Sequence, residues 1–388
     1  MTTFSIGTPT ICRFGEGSRY EISAALQATP HPKTLIIASA SALRRPELSD
    51  FTAKIAAVSA TTEIWTGIKP NPRIEDIDAC LAAFRDAGIT HVVGIGGGSA
   101  LDQAKATAMS LSTGLSVREL LKLKNGLPAR SNQLILVPTT SGTGAEMSYG
   151  AILTDDTTGE KLGLRGQNLA ADRAFVDPEL TYSLPEDVTI VTGFDVLTHA
   201  IETYLSTAAS PYTTVLSRGA IERVFEWLPV VKTASGHIQA RKELAYASMT
   251  MGINLALSTT CLPHRLQYPV GAATDTAHAA GLAAIYPAWL AHVRPYATQK
   301  LAECARWINI AEREVSDEEN AQAFCNAVLD LLKTVDLTPN LSDLGVTEEM
   351  VARFPSEVSG RLDTDPGYNS RDDLTTIYLR AFEQVAAR

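Results

Sequence analysis

The stretch that most constrains this chain is His91-Val-Val-Gly-Ile-Gly-Gly-Gly-Ser-Ala-Leu-Asp-Gln-Ala-Lys105. Val92, Val93 and Ile95 read as a buried strand, and the pattern turns helical after Gly96-Gly-Gly-Ser99. Successive glycines let an anion come close to the backbone. The unpaired N–H groups at a helix start, with the helix dipole, then hold it. Strand, glycines and a helix carrying Asp102 and Lys105 point to a nucleotide phosphate site at Gly96, Gly97, Gly98 and Ser99. A unit of this kind belongs to an α/β domain with a parallel sheet.

The neighbouring segments extend that domain. Residues 34–39 are a buried strand, and residues 41–45 begin a turn or helix. In a dinucleotide fold an acid at the end of such a strand holds the ribose hydroxyls and repels a 2′-phosphate. Here the strand ends in Ala38-Ser39-Ala40-Ser41, with Arg44 and Arg45 beyond. Hydroxyls and guanidinium groups suit a phosphate, although a solvated arginine pair fits the same residues. Residues 62–66 form a second strand, Lys69-Pro-Asn-Pro72 a sharp turn, and residues 74–87 a helix. Residues 132–137 are another strand, ending in Pro138-Thr-Thr-Ser-Gly-Thr-Gly-Ala-Glu146. Thr139, Thr140 and Thr143 thus lie at a strand's carboxyl end, where open α/β sheets bind ligands, although a Ser/Thr capping turn has the same composition. Residues 152–161 form a hairpin, and the domain boundary is expected between Pro178 and Pro185, after which strand signals nearly vanish. With 388 residues, two domains are expected: 1–182, α/β, and 183–388, all-helical.

The second half holds the other constellation. In Gly193-Phe-Asp-Val-Leu-Thr-His-Ala-Ile-Glu202, Asp195 and His199 lie one helical turn apart on one face. A carboxylate and an imidazole aimed at one point are half of a divalent-metal site. Residues 212–225, 240–257, 286–307, 320–332 and 372–385 are further helices. His264 and His278 would lie about 21 Å apart along one straight helix. Pro269 and Gly271 are expected to break that helix, and Asp275 or Thr276 to cap a new one starting near His278. The fold-back lets both histidines meet Asp195 and His199. Core histidines bonded to carbonyls are the competing reading for each one singly. Cys261 reads as packing, and the loop over residues 363–369 as surface.

A net charge of −10 argues against nucleic-acid and anionic-membrane partners. Five scattered cysteines without a CxxC look like reduced thiols in a cytoplasmic protein. No stretch reaches the roughly 18 apolar residues of a membrane span, and no signal peptide is expected.

These motifs, in this order, resemble the iron-containing (group III) alcohol dehydrogenase family over nearly the full length, with Val176-Asp-Pro-Glu-Leu180 as a further match. The run His278-Ala-Ala-Gly-Leu-Ala-Ala-Ile-Tyr-Pro-Ala-Trp289 looks most like its butanol-dehydrogenase-type aldehyde reductases. The resemblance implies a dinucleotide-binding domain with a Rossmann-like sheet, a helical domain and a cleft between them. It makes Asp195, His199, His264 and His278 the metal ligands and gives Gly96 to Ser99 the pyrophosphate. It places Thr139, Thr140 and Thr143 at the nicotinamide half, Lys161 at the ribose and Asn71 near the adenine. The implied activity is hydride transfer between nicotinamide and a small aldehyde or alcohol, in a homodimer.

Iron comes from the resemblance, whereas the ligand types suit Fe²⁺ and Zn²⁺ equally and affinity order favours zinc. Two departures matter. The family often has Asp where this chain has Ser39, which with Ser41 and Arg44 points to NADPH, NADH being the alternative. The family also often has a second histidine, a proton relay, where Tyr268 stands. A phenol is a poorer acid–base group near neutral pH, so the proton path is open, with water and cofactor ribose as substitutes. Arg265 is expected to face solvent, with contact to an anionic substrate the alternative. A reductase of dicarboxylates resembling maleylacetate reductase, and a lyase resembling dehydroquinate synthase, are the competing activities.

Overall fold

The computed structural model describes residues 3–383. The chain divides into two compact units, one spanning Gly7–Leu184 and the other beginning at Pro185, with residues 3–6 grouped with the second.

The first unit is built on six parallel strands, β1 (Ile11–Phe14), β2 (Lys33–Ala38), β3 (Thr61–Trp65), β4 (His91–Gly96), β5 (Gln133–Pro138) and β8 (Arg173–Val176), in the order β1-β8-β5-β4-β2-β3. Strands β6 (Gly150–Asp155) and β7 (Glu160–Arg165) form a separate antiparallel hairpin. Alternate residues feed opposite faces of the sheet. Ile36, Val93, Ile95, Ile135 and Val137 pack with Phe51 and Ile55 on one side. Leu35, Ile37, Val92, Leu134 and Leu136 pack with Leu101, Ala104 and Ala108 on the other. Apolar residues on both faces explain the near-continuous hydrophobic runs of the central strands. Strand β1 is absent from the sequence reading: it has four residues, two of its apolar side chains are exposed, and it is specified by pairing with β8.

Strand β3 lies to one side of β2, and β4 returns to its other side. The carboxyl ends of β2 and β4 therefore flank a topological switch point, the usual ligand crevice of an open α/β sheet.

The second unit is helical. Helices Glu186–Leu205, Pro211–Thr233, Ile238–Leu257, Leu262–Thr274 and His278–Val293 contribute to one apolar core. Two expected helices are corrected. The one expected over residues 212–225 continues through Pro229 to Thr233. The one expected over residues 286–307 belongs to two helices, His278–Val293 and Thr298–Trp307, separated by a 3-10 turn at Arg294–Tyr296. Pro295 withdraws the N–H that a continuous helix needs. The final helix is Arg371–Glu383, so the end of the expected 372–385 segment lies outside the described residues.

Candidate functional site

Helix Glu186–Leu205 is buried from Gly193 to its end, so Asp195 and His199 face the interior of the helical unit. Asp195 Oδ1 lies 3.9 Å from His199 Nδ1, 3.8 Å from His264 Nε2 and 3.9 Å from His278 Nε2. The ligand atoms of Asp195, His199 and His264 all lie within 4.8 Å of one another. The His199 and His264 rings stack with centroids 4.5 Å apart, and His278 stands at 5.1 Å from His264. A tetrahedral cation with bonds of about 2.1 Å needs donor atoms about 3.4 Å apart. The three distances from Asp195 Oδ1 are a few tenths of an ångström wider, and His278 stands outside the group of three whose atoms all lie within 4.8 Å of one another.

Asp195 Oδ1 and His199 Nδ1 are buried without a hydrogen-bond partner. Each such orphan costs about 1–3 kcal/mol unless something else satisfies it. A divalent cation does so for both at once, and the donor types fit it. Burial raises the Asp195 carboxyl, but His199, His278 and His264 outweigh it and hold the group below its ordinary value. His278 is the partly exposed member, which leaves one side of the centre reachable.

Three residues that the sequence reading missed hold these ligands. Glu202 is fully buried; its Oε1 lies 2.8 Å from His264 Nδ1, and its Oε2 accepts from Cys261 N at 2.9 Å. Gln267 Oε1 lies 2.6 Å from His278 Nδ1. With each Nδ1–H donated outward, the Nε2 lone pair turns to the centre. Asp365 accepts from Leu262 N and from Trp289 Nε1, anchoring the start of the His264 helix. Helical spacing offered a signal for Glu202, which shares a face with Asp195 and His199, and for Gln267, one turn after His264.

Four expectations are corrected here. Pro269 and Gly271 do not break the helix, which runs from Leu262 through both to Thr274. Leu262, Leu266 and Val270 on its inner face are fully buried, and their packing outweighs the roughly 3 kcal/mol cost of an interior proline. The chain reverses at Asp275, whose φ is 54°, and His278 follows Ala277, which supplies no side-chain cap; Asp275 and Thr276 are not the N-cap. The 363–369 loop is not a surface loop at its centre: Thr364 and Asp365 are buried. Arg265 is only 5% exposed and does not face solvent. Its guanidinium donates to Thr259 Oγ1 at 3.1 Å and to the hydroxyl of half-buried Tyr268 at 3.3 Å.

In the first unit the two polar loops meet at the ends of adjacent strands β4 and β5. Thr139 N donates to Gly96 O at 2.9 Å. A Cβ on Gly98 would stand 2.7 Å from Thr143 Cγ2, and one on Gly97 3.2 Å from Thr140 Oγ1. A side chain at Gly98 would therefore displace Thr143, and one at Gly97 would crowd Thr140. Helix Gly98–Thr113 starts with no side-chain cap, so its first N–H groups, Ser99 among them, suit an anion. Asp102 accepts from Ile152 N at 2.9 Å, and Lys105 donates to Gly150 O at 2.6 Å, so both tie this helix to β6. Lys161 Nζ donates to Asn71 Oδ1 at 2.7 Å.

At the end of β2, Ser39 Oγ caps the short helix Ala40–Leu43 and lies 3.1 Å from Ser41 Oγ. Arg44 is exposed beside them. Arg45 is engaged otherwise, by Glu47, Leu180 O and Ser183.

Two family models match the chain: iron-containing alcohol dehydrogenase over residues 9–178, and the C-terminal part of the Fe-containing alcohol dehydrogenase family over residues 189–382. Alcohol dehydrogenase 4 of Schizosaccharomyces pombe is 28% identical over 378 residues, 96% of this chain and 88% of that protein. Lactaldehyde reductase of Escherichia coli (strain K12) is 26% identical over 376 residues, 95% of this chain and 97% of that protein. The crystal structure of a 1,3-propanediol oxidoreductase superimposes with a TM-score of 0.93 at 22% identity, covering 98% of this chain and 100% of that one.

Proposed function

Because the chain belongs to the iron-containing alcohol dehydrogenase family, we propose that it interconverts a small aldehyde and its alcohol with NADPH as the preferred nicotinamide cofactor. The observation that carries the reading is the buried Asp195 Oδ1, ringed by three imidazole nitrogens at 3.8–3.9 Å and left without a hydrogen-bond partner. The activities named for the two relatives, an alcohol dehydrogenase and a lactaldehyde reductase, are of the same class.

Asp195, His199, His264 and His278 are the residues that would hold Fe²⁺, or Zn²⁺ in its place. Bound there, the metal supplies Lewis acidity towards the substrate oxygen, and the nicotinamide supplies or takes the hydride. Asp195 contributes the anionic ligand, and Glu202 and Gln267 fix two of the imidazoles. Gly96, Gly97, Gly98 and Ser99 hold the pyrophosphate, and Thr139, Thr140 and Thr143 the nicotinamide half. Asn71 and Lys161, already joined, serve the adenosine and ribose portions. Asp102 supports the phosphate loop through its bond to Ile152 N. Ser39, Ser41 and Arg44 receive the 2′-phosphate, with no carboxylate at the strand end to repel it. Tyr268 Oη, on the same helix face as His264, is the group of this chain positioned to exchange the proton.

The test is a panel of small aldehydes assayed with NADPH and with NADH, on protein of measured metal content. Net oxidation of NADPH that rises with metal content is the expected result. A lyase shows no net turnover of cofactor, and equal or better rates with NADH overturn the assignment of Ser39 and Arg44.

A further inference from the structure

Arg265 has no evident structural reason to be charged where it is. It follows the proposed ligand His264 on the same helix and is 5% exposed. Arginine is almost never buried without a counter-ion, because desolvating an unpaired charge is expensive. Its bonds go to two neutral hydroxyls, Thr259 Oγ1 and Tyr268 Oη. Among the described residues it forms no ion pair, and its Nε is buried without any partner. A guanidinium has five N–H donors in a planar fork, and two hydroxyls cannot satisfy them. The side chain is held in this position: a Cβ on Gly360 would stand 3.2 Å from its Cδ and Nε. Tyr268, which it touches, lies one helical turn beyond His264 and is itself partly exposed, so this face of the helix is reachable.

Resting on the reductase reading above, we propose that Arg265, with the hydroxyl of Thr259 beside it, receives a negatively charged group on the substrate, which leaves the hydroxyl of Tyr268 to the reacting oxygen. The aldehyde reduced at this centre then carries a carboxylate, sulfonate or phosphate at its far end. The carbonyl oxygen belongs at the His264 side, and the anion completes the guanidinium that the protein leaves unfinished. Carboxylate, sulfonate and phosphate each offer two oxygens to the fork in two parallel bonds, which lysine does not provide. The competing role is charge balance, in which Arg265 offsets buried Glu202, whose carboxyl it acts on, and recognises nothing.

The test compares chain-matched aldehydes, butanal against 4-oxobutanoate and propanal against 3-oxopropanoate, on metal-loaded wild type, Arg265→Met and Arg265→Lys. Wild type is expected to favour the anionic member of each pair in kcat/KM. Arg265→Met is expected to lower the anionic-to-neutral ratio by about 30-fold, chiefly through KM, in line with the loss of charge-assisted hydrogen bonds. Arg265→Lys should restore part of it. Calorimetric binding of succinate to wild type, weakened in Arg265→Met, is the readout independent of turnover. A charge-balancing arginine gives a different pattern: metal content and both substrates fall together and the ratio stays, which overturns the proposal. If Arg265→Met fails to fold, wild type alone decides, since a ratio at or below one refutes anionic recognition. Turnover of neutral aldehydes without that preference sinks only this inference. No turnover of either kind sinks the reductase reading itself.

Discussion

Replacing Glu202 by Gln tests whether the proposed metal centre is built as described. Glu202 is fully buried; its Oε2 accepts from Cys261 N at 2.9 Å, and its Oε1 lies 2.8 Å from His264 Nδ1, whose N–H donates to it in the tautomer that turns Nε2 to the centre. Glutamine keeps the shape but has one acceptor and one donor group. Whichever way its amide turns, one buried N–H meets an NH₂ and loses its partner, at about 1–3 kcal/mol. If His264 loses the bond, its ring is no longer fixed with Nε2 towards the centre, and metal affinity falls by about 10–100-fold. A tenfold loss is about 1.4 kcal/mol of metal-linked stability. The expected outcome is therefore weaker binding of Zn²⁺ and Fe²⁺ in chelator competition on stripped protein, with a lower unfolding free energy. Glu202→Asp separates charge from reach, since it keeps the carboxylate but withdraws it by about 1.5 Å. If charge alone matters, Asp rescues the affinity; if the hydrogen bonds matter, it does not. Glutamine protein with wild-type affinity and wild-type stability refutes the assignment of Glu202 as the support of His264.

Three further outcomes follow from the same structure. His264→Ala is expected to lose bound metal and activity together; full retention of both, by metal analysis and turnover, removes it from the ligand set. Ser39→Asp is expected to shift the NADPH-to-NADH ratio of kcat/KM towards NADH by about tenfold, because the new carboxylate repels a 2′-phosphate; an unchanged ratio places that phosphate elsewhere. Burial pushes the Glu146 carboxyl from 4.5 up to about 7, with its own backbone N–H and Lys105 offsetting only part of it. The folded chain then keeps a proton that the unfolded chain releases, so this contribution is complete below about pH 4.5 and lost as pH rises through about 7. The difference amounts to about 3 kcal/mol. Glu146→Gln should flatten that part of the stability profile in urea unfolding at about pH 5 and about pH 8, and an equal slope in both proteins counts against it.

The parts legible in the sequence were those that depend on neighbours along the chain. Helical spacing alone put Asp195 and His199 on one face, and the apolar runs of β2, β4 and β5 with the glycines after β4 identified the parallel-sheet unit. The order of motifs was enough to identify the family that the two family models show. Even the short loops at strand ends were readable, because glycine and threonine report a backbone conformation where they stand.

What tertiary structure decided depends on which elements pack together. Proline at 269 predicts a break from local chemistry, yet buried Leu262, Leu266 and Val270 carry the helix past it, and the reversal falls at Asp275. Glu202 acquires its role only because a helix remote in sequence brings His264 to it, and Gln267 because the reversal at Asp275 folds His278 back against it. Arg265 looked like a surface charge, since nothing local distinguishes a buried arginine from a solvated one. Only the packing around it shows a guanidinium enclosed with two hydroxyls and, among the described residues, no direct ion pair. Hydrogen-bonding and helical periodicity act over a few residues and are written in the sequence. Burial is a property of the assembled core, and it determines which polar atoms are left without a hydrogen-bond partner.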